Sequence, residues 1–194
     1  MENLQQLLNE VAACRLCESA LPLGPRPVRR VAPEARILII GQAPGLKVHN
    51  SGLPWDDPSG DRLRGWLNID REQFYRDARL GILPMGFCYP GKGKSGDLPP
   101  RPECAPTWHE RLLQQMPQIE VVLLIGQYAQ KRYAGDDEKN LTERVRNQSL
   151  DGRFISLPHP SPRNIRWFKQ NPWFDEQLLP SFQRRIHPLL SESS

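Results

Sequence analysis

The sequence lacks any apolar run long enough to cross a membrane. A membrane-spanning helix needs roughly 18 consecutive apolar residues, whereas only 38% of these 194 residues are hydrophobic, and they are spread along the chain. Residues 1–13 contain Glu2 and Glu10 and no long apolar core, so they do not match a secretory signal peptide. These absences predict a cytoplasmic protein with no membrane partner.

Cysteine is scarce, and its few copies are unevenly placed. The chain has four cysteines: Cys14 and Cys17 form a C-x2-C pair, and Cys88 and Cys104 follow much later. A zinc ribbon would need a second C-x2-C pair, which is absent. Disulfides are not expected without an export signal. The spacing favours a metal site, with zinc as one candidate and free or disulfide-bonded cysteines as the remaining alternative.

Internal repeats are also absent, and the apolar runs are short. Strands are predicted at residues 37–40, 81–89, 120–125 and 154–157. Helices are predicted at residues 3–13, 61–67, 71–77, 106–116, 127–133, 141–145 and 172–190, the last broken near Pro180. This alternation predicts one three-layer α/β/α domain over residues 1–190, with a four-stranded, mainly parallel central sheet. Residues 191–194 are predicted to be a disordered tail.

The glycines do not form a recognised phosphate-binding loop. The first predicted strand ends in a Gly-Gln-Ala-Pro-Gly turn at residues 41–45. This turn lacks both the G-x-G-x-x-G spacing and the Lys-Ser/Thr pair of a P-loop. Its glycines would still let backbone N–H groups approach a ligand closely.

A stiff loop carrying a histidine follows the last predicted strand. Residues 157–164 read Leu-Pro-His-Pro-Ser-Pro-Arg-Asn, and three prolines restrict the backbone around His159. Ligands of α/β proteins bind beyond the carboxyl ends of the strands. The loop is therefore a candidate site, and the alternative is a proline-rich surface turn.

Acidic residues do not dominate the composition. Lysine and arginine number 26 against 22 aspartates and glutamates, which gives a net charge of +4. This balance is consistent with a polyanionic partner, although a solvated basic surface would give the same total.

Together, the two loops resemble motifs of the uracil-DNA glycosylase superfamily. Its first motif, Gly-(Gln/Glu/Met)-x-Pro-(Gly/Tyr), is similar to residues 41–45, and its second, beginning His-Pro-Ser, is similar to residues 159–164. Residues 51–55 resemble the segment that presents an aromatic ring to the flipped base. The resemblance extends from about residue 14 to residue 164. The cysteine pattern is similar to that of the iron–sulfur branch (families 4 and 5), which implies a [4Fe–4S] cluster, with zinc as the alternative.

The resemblance implies a monofunctional DNA repair glycosylase. Such an enzyme flips uracil or a related deaminated base out of DNA and hydrolyses its N-glycosidic bond. We expect a monomer whose partner is DNA containing such a base. The implied roles are catalysis by His159, Gln42 and Asp57; substrate binding by Gly41, Ala43, Pro44, Gly45, Trp55 and Asn50; DNA binding by Ser161, Arg163 and Asn164; and metal binding by Cys14, Cys17, Cys88 and Cys104.

Three departures from the family pattern bear on activity. Family 4 has Glu at the position of Gln42, and family 1 follows its Gln with an Asp where this chain has Ala43. The asparagine that reads uracil is not found before Cys88. Gln42, Asn50 or main-chain groups would then read the base, and Asp56 or Asp57 could supply the carboxylate that orients the water. Because of these departures, two alternative functions remain. The protein could be a superfamily member that binds damaged or single-stranded DNA with little turnover, or an unrelated small-molecule enzyme.

Overall fold

The computed structural model describes residues 2–135 and 140–191, so the predicted tail lies outside it except for Ser191. Its centre is a four-stranded sheet in the order β2-β1-β3-β4, and every neighbouring pair is parallel. The strands are β1 (Ile37–Ile40), β2 (Leu80–Ile82), β3 (Val121–Ile125) and β4 (Phe154–Leu157). The predicted α/β fold with a four-stranded sheet is confirmed, and the sheet is parallel throughout.

Helices connect the strands and cover both faces of the sheet. They are α1 (Leu4–Ala12), α2 (Leu46–Ser51), α3 (Pro58–Leu67), α4 (Arg71–Arg76), α5 (Cys104–Leu113), α6 (Gln127–Tyr133), α7 (Leu141–Asn147), α8 (Ile165–Gln170) and α9 (Leu179–Leu190). Short 3₁₀ turns occupy Glu18–Ala20 and Pro162–Asn164, and a π-helical turn occupies Phe174–Leu178. Within the described residues, no helix is long and apolar enough to cross a bilayer.

The central strands are buried on both sides, as continuous apolar runs in parallel sheets require. Alternate residues of β1 enter two different cores. Ile37 and Ile39 pack with apolar side chains of α3, α4, α7 and α9. Leu38 and Ile40 pack with those of α1, α5 and α6. This division produces the three layers.

Several predicted boundaries were wrong. The strand predicted at residues 81–89 ends at Ile82, just before Pro84, which has no N–H to donate to a ladder. The following residues stay beside the first-motif turn, because Met85 N–H donates to the Gly41 carbonyl at 2.9 Å. Cys88 therefore lies in a loop. Helices α2 and α8 were not predicted. The break predicted near Pro180 is present as a change of helix type, since the π-helical turn ends at Leu178 and α9 begins at Leu179.

The strand order fixes where a ligand can bind. Strand β1 has β2 on one side and β3 on the other, so the chain runs from β1 outward to β2 and then crosses back over β1 to β3. In open α/β sheets a crevice forms at such a switch point, outside the carboxyl ends of the strands. The first-motif turn follows β1 directly and lies at this point.

Candidate active site

A cavity of about 530 Å³ opens at the carboxyl ends of the strands. Residues that follow each strand line it: the turn at residues 41–45 after β1, Pro84 after β2, Gln127 after β3 and His159 after β4. Its volume lies within the range of roughly 300–1,000 Å³ common for small-molecule sites. The two motif loops, far apart in sequence, therefore line one cavity.

Gly41 has a steric role in this cavity. A Cβ atom at this position would lie 2.7 Å from Cζ2 of Trp55, which is too close for any real side chain. Glycine therefore allows the indole to rest on the backbone of the first-motif turn. The first motif and the aromatic segment at residues 51–55 depend on each other.

Trp55 is held in an unusual backbone conformation. Its φ angle is +59°, in the left-handed region that bulky residues rarely adopt. The buried Arg64 donates to its carbonyl oxygen at 3.1 Å, and a Cβ atom on Gly60 would collide with that same oxygen. Such strain persists only where surrounding contacts enforce it. The indole is thus positioned before any ligand binds.

The hydrogen bonds of His159 define its tautomer. The backbone N–H of Ser161 donates to Nδ1 at 3.2 Å, so in the neutral ring the proton is on Nε2. Burial lowers the pKa of His159, and the Asp57 carboxylate acts in the opposite direction. The ring centroid lies 5.8 Å from that of Trp55. His159 is therefore a neutral N–H donor near neutral pH, adjacent to an aromatic ring.

Asp57 lines the cavity, but part of its carboxylate is already used. Its Oδ1 accepts the backbone N–H of Gly60 at 2.8 Å and caps helix α3. The capping bond contributes roughly 1 kcal/mol of stability. Asp57 is thus both a cavity residue and a structural cap.

The predicted substrate-binding residues are brought together with one exception. Gly41, Gln42, Ala43, Pro44, Gly45 and Trp55 all line the cavity. Asn50 does not line it, because its side chain is exposed on α2; Arg26 donates to its carbonyl oxygen at 2.9 Å. Base reading by Asn50 is therefore not supported by its position.

The predicted DNA-binding residues lie together at the second-motif loop. Asn164 donates from Nδ2 to the carbonyl oxygen of His159 at 2.8 Å, so this amide stabilises the second-motif loop. Ser161 accepts the N–H of Arg163 through its hydroxyl at 3.2 Å. Arg163 is exposed, and its guanidinium donates to the Ser95 carbonyl at 3.2 Å. The loop is rigid, and its cation remains accessible.

Sequence reasoning missed four polar residues of the cavity: Ser59, Ser95, Asp97 and Gln127. Gln127 follows β3 directly, so the rule that placed the other candidates after strands would have found it. Ser59 stands two residues after Asp57 in α3. Asp97 had no local signal, because a turn at residues 91–98 carries it to the cavity.

The four cysteines line a second, small cavity together with Arg101 and Trp108. Cys104 and Trp108 also belong to the core that contains Leu38 and Ile40. Burial chiefly, with nearby thiols adding, raises the pKa of Cys88 to about 11 and that of Cys104 to about 12. Nε of Arg101 and Nε1 of Trp108 are buried without a hydrogen-bond partner in the described part of the chain. Among the described residues, no three His, Cys, Asp or Glu side chains are arranged to hold a metal ion.

Comparison with known families agrees with this geometry. The model of the Uracil DNA glycosylase superfamily matches residues 28–183 of this chain, which include the first-motif turn, Trp55 and the His159 loop. The protein belongs to the uracil-DNA glycosylase superfamily.

Proposed function

We propose that this protein is a monofunctional DNA repair glycosylase that excises uracil or a related deaminated base. The observation that supports it most is the pairing of Trp55 with a neutral His159 in one cavity beyond the strands. An aromatic face and a fixed N–H donor match the two needs of the reaction, which are holding an extruded base and stabilising its departure.

Trp55 would serve the capture of the base. Extruding a nucleotide from the stack costs a few kcal/mol, and stacking on an aromatic side chain recovers ~1–3 kcal/mol. The enforced backbone of Trp55 means that little freedom is lost when the base arrives.

His159 would serve the chemical step. When the N-glycosidic bond breaks, its electron pair leaves with the base, which becomes an anion. A fixed donor aimed at that anion stabilises the transition state more than the bound substrate. Water then adds to the sugar, and the sequence assigns its orientation to Asp57.

We also propose that Cys14, Cys17, Cys88 and Cys104 bind a [4Fe–4S] cluster. Their common cavity, the thiol donor set and the two unpartnered nitrogens of Arg101 and Trp108 suit an occupant with sulfur acceptors. Tetrahedral zinc, the alternative, would require sulfurs about 3.8 Å apart, from Zn–S bonds of about 2.3 Å. A bound cluster would supply cross-links between the α1 turn, the Cys88 loop and α5.

A specific observation favours a second function, which is DNA binding with little turnover. Pro84 lines the cavity in the segment where the family's uracil-reading asparagine is expected, and its side chain offers no hydrogen bond. Incubation with oligonucleotides containing uracil, hypoxanthine or xanthine decides between the functions. A glycosylase leaves alkali-labile abasic sites in at least one substrate, whereas the binding protein retains damaged DNA without cleaving it. A protein that neither binds nor cleaves any of these oligonucleotides would refute both functions.

DNA binding should depend on Arg163 in a sequence-independent way. We expect Arg163→Ala to weaken binding to all oligonucleotides about equally, because its exposed guanidinium can contact phosphate. The slope of log affinity against log salt should become shallower by about 1. Titrations across a salt series measure both effects.

The matched control is Arg153→Ala, which removes the same charge from an exposed residue just before β4, at the opposite end of the sheet. Its slope should stay at the wild-type value. An Arg163→Ala slope equal to the wild-type slope would remove this residue from the DNA interface.

A further inference from the structure

Asp97 presents a second carboxylate to the candidate active site. It lies on a turn at residues 91–98, in which Leu98 N–H donates to the Gly91 carbonyl at 2.8 Å and the backbones of Lys92 and Asp97 form an antiparallel β-bridge. The residue is exposed and lines the 530 Å³ cavity, so it lies at the cavity mouth.

This turn lies close to both motif loops. Arg163 of the second-motif loop donates to the carbonyl of Ser95 at 3.2 Å. On the other side, Oδ2 of Asp97 lies 3.3 Å from the point where a Cβ atom on Gly45 would stand. The carboxylate therefore lies beside the end of the first-motif turn, where neither Gln42 nor Ala43 supplies an acidic group.

Asp97 and Asp57 differ in what they already do. One carboxylate oxygen of Asp57 accepts the Gly60 N–H and caps α3. The carboxylate of Asp97 has no hydrogen bond and no ion pair with any residue that the structure describes. A carboxylate with both oxygens available can hold a water molecule and still accept its proton.

We propose that Asp97, and not Asp57, is the carboxylate that orients and deprotonates the attacking water and faces the cationic sugar. This inference rests on the proposed glycosylase function. In the step, the C1′–N bond breaks and its electron pair leaves on the base, next to His159. The water oxygen bonds to C1′, its proton passes to Asp97, and the proton then neutralises the base anion. The products are free base and abasic DNA.

The surroundings of Asp97 favour a base of raised strength. Partial burial against the cavity wall raises the pKa of Asp97, and Asp57 adds to the rise, while Arg163 and Lys92 oppose it. Tyr89 faces it from the preceding loop. A stronger base removes a proton more readily when ionised. Only the ionised form can act, so cleavage should fall as the pH drops through the Asp97 pKa.

The test compares Asp97→Asn with Asp57→Asn in single-turnover cleavage. We expect Asp97→Asn to lower the rate by ~10²-fold or more, to remove the acidic limb of the pH profile, and to leave DNA affinity equal or higher. Formate should partly rescue Asp97→Gly. Asp57→Asn should keep the acidic limb. Asp151→Asn, an exposed change beyond the opposite end of the sheet, controls for the lost charge.

A binding measurement decides the inference even if turnover is weak. Abasic DNA with a positively charged ring nitrogen at the anomeric position should bind wild type at least ~10-fold better than Asp97→Asn, because the carboxylate faces the charge. Neutral abasic DNA should not show this preference. The role of Asp97 would be overturned if wild type and Asp97→Asn preferred the cationic over the neutral abasic DNA equally. It would also be overturned if Asp97→Asn lost cleavage of uracil but kept cleavage of hypoxanthine. Failure of wild type to bind any abasic DNA would instead refute the glycosylase function.

Discussion

His159→Ala should lower single-turnover cleavage by ~10²–10³-fold, the range for removing one transition-state donor. The reason is the fixed Nε2–H tautomer, which Ser161 N–H sets by donating to Nδ1. Binding to abasic product DNA should change little, because the negative charge on the base exists only as the bond breaks. Quenched-flow cleavage and fluorescence titration measure the two effects.

Two variants make this result specific. His187→Ala removes an exposed histidine from α9 and should cleave at the wild-type rate. Trp55→Ala should show the reverse balance to His159→Ala, with weaker capture of the flipped base and a smaller effect on the chemical step. If His159→Ala cleaves near the wild-type rate, His159 is not catalytic and the second motif only contacts DNA.

Cys88→Ala should abolish metal binding and lower the free energy of unfolding by roughly 4 kcal/mol or more, because metal binding and folding are coupled. Cys88 shares its cavity with cysteines of the turn after α1 and of the start of α5, so a bound cluster would connect these three segments. Protein purified without oxygen should be brown and contain iron and sulfide. Metal analysis and denaturant unfolding of the two proteins provide the measurement.

Thr107→Ala is the matched control, since Thr107 is exposed on the same helix as Cys104. It should retain the full metal content. A colourless wild-type protein that contains one zinc and no iron would show that the cysteines bind zinc and not a cluster. A wild-type protein that contains neither metal would refute the metal site, and the four cysteines would then be free thiols.

Much of the fold could be predicted because its signals are local. Ile37–Ile40 and Val121–Ile125 are apolar throughout, and only a strand buried on both faces accommodates such short runs. Asp70 marks the start of α4 through its bond to Gln73 N–H at 2.7 Å. The end of β2 was predicted too late, because apolar residues continue past Ile82, whereas Pro84 lacks the N–H that a longer ladder would need.

The same division holds for the candidate site. The sequence by itself determined the two motif loops, because proline and glycine restrict or free the backbone residue by residue. Only the tertiary structure excluded Asn50 from the cavity, since the unpredicted helix α2 turns its side chain outward. Only the tertiary structure brought Asp97 to Gly45, 52 positions earlier in the chain. Side-chain type and local backbone preference are written in the sequence, whereas the distance between two segments depends on how the sheet and its loops pack.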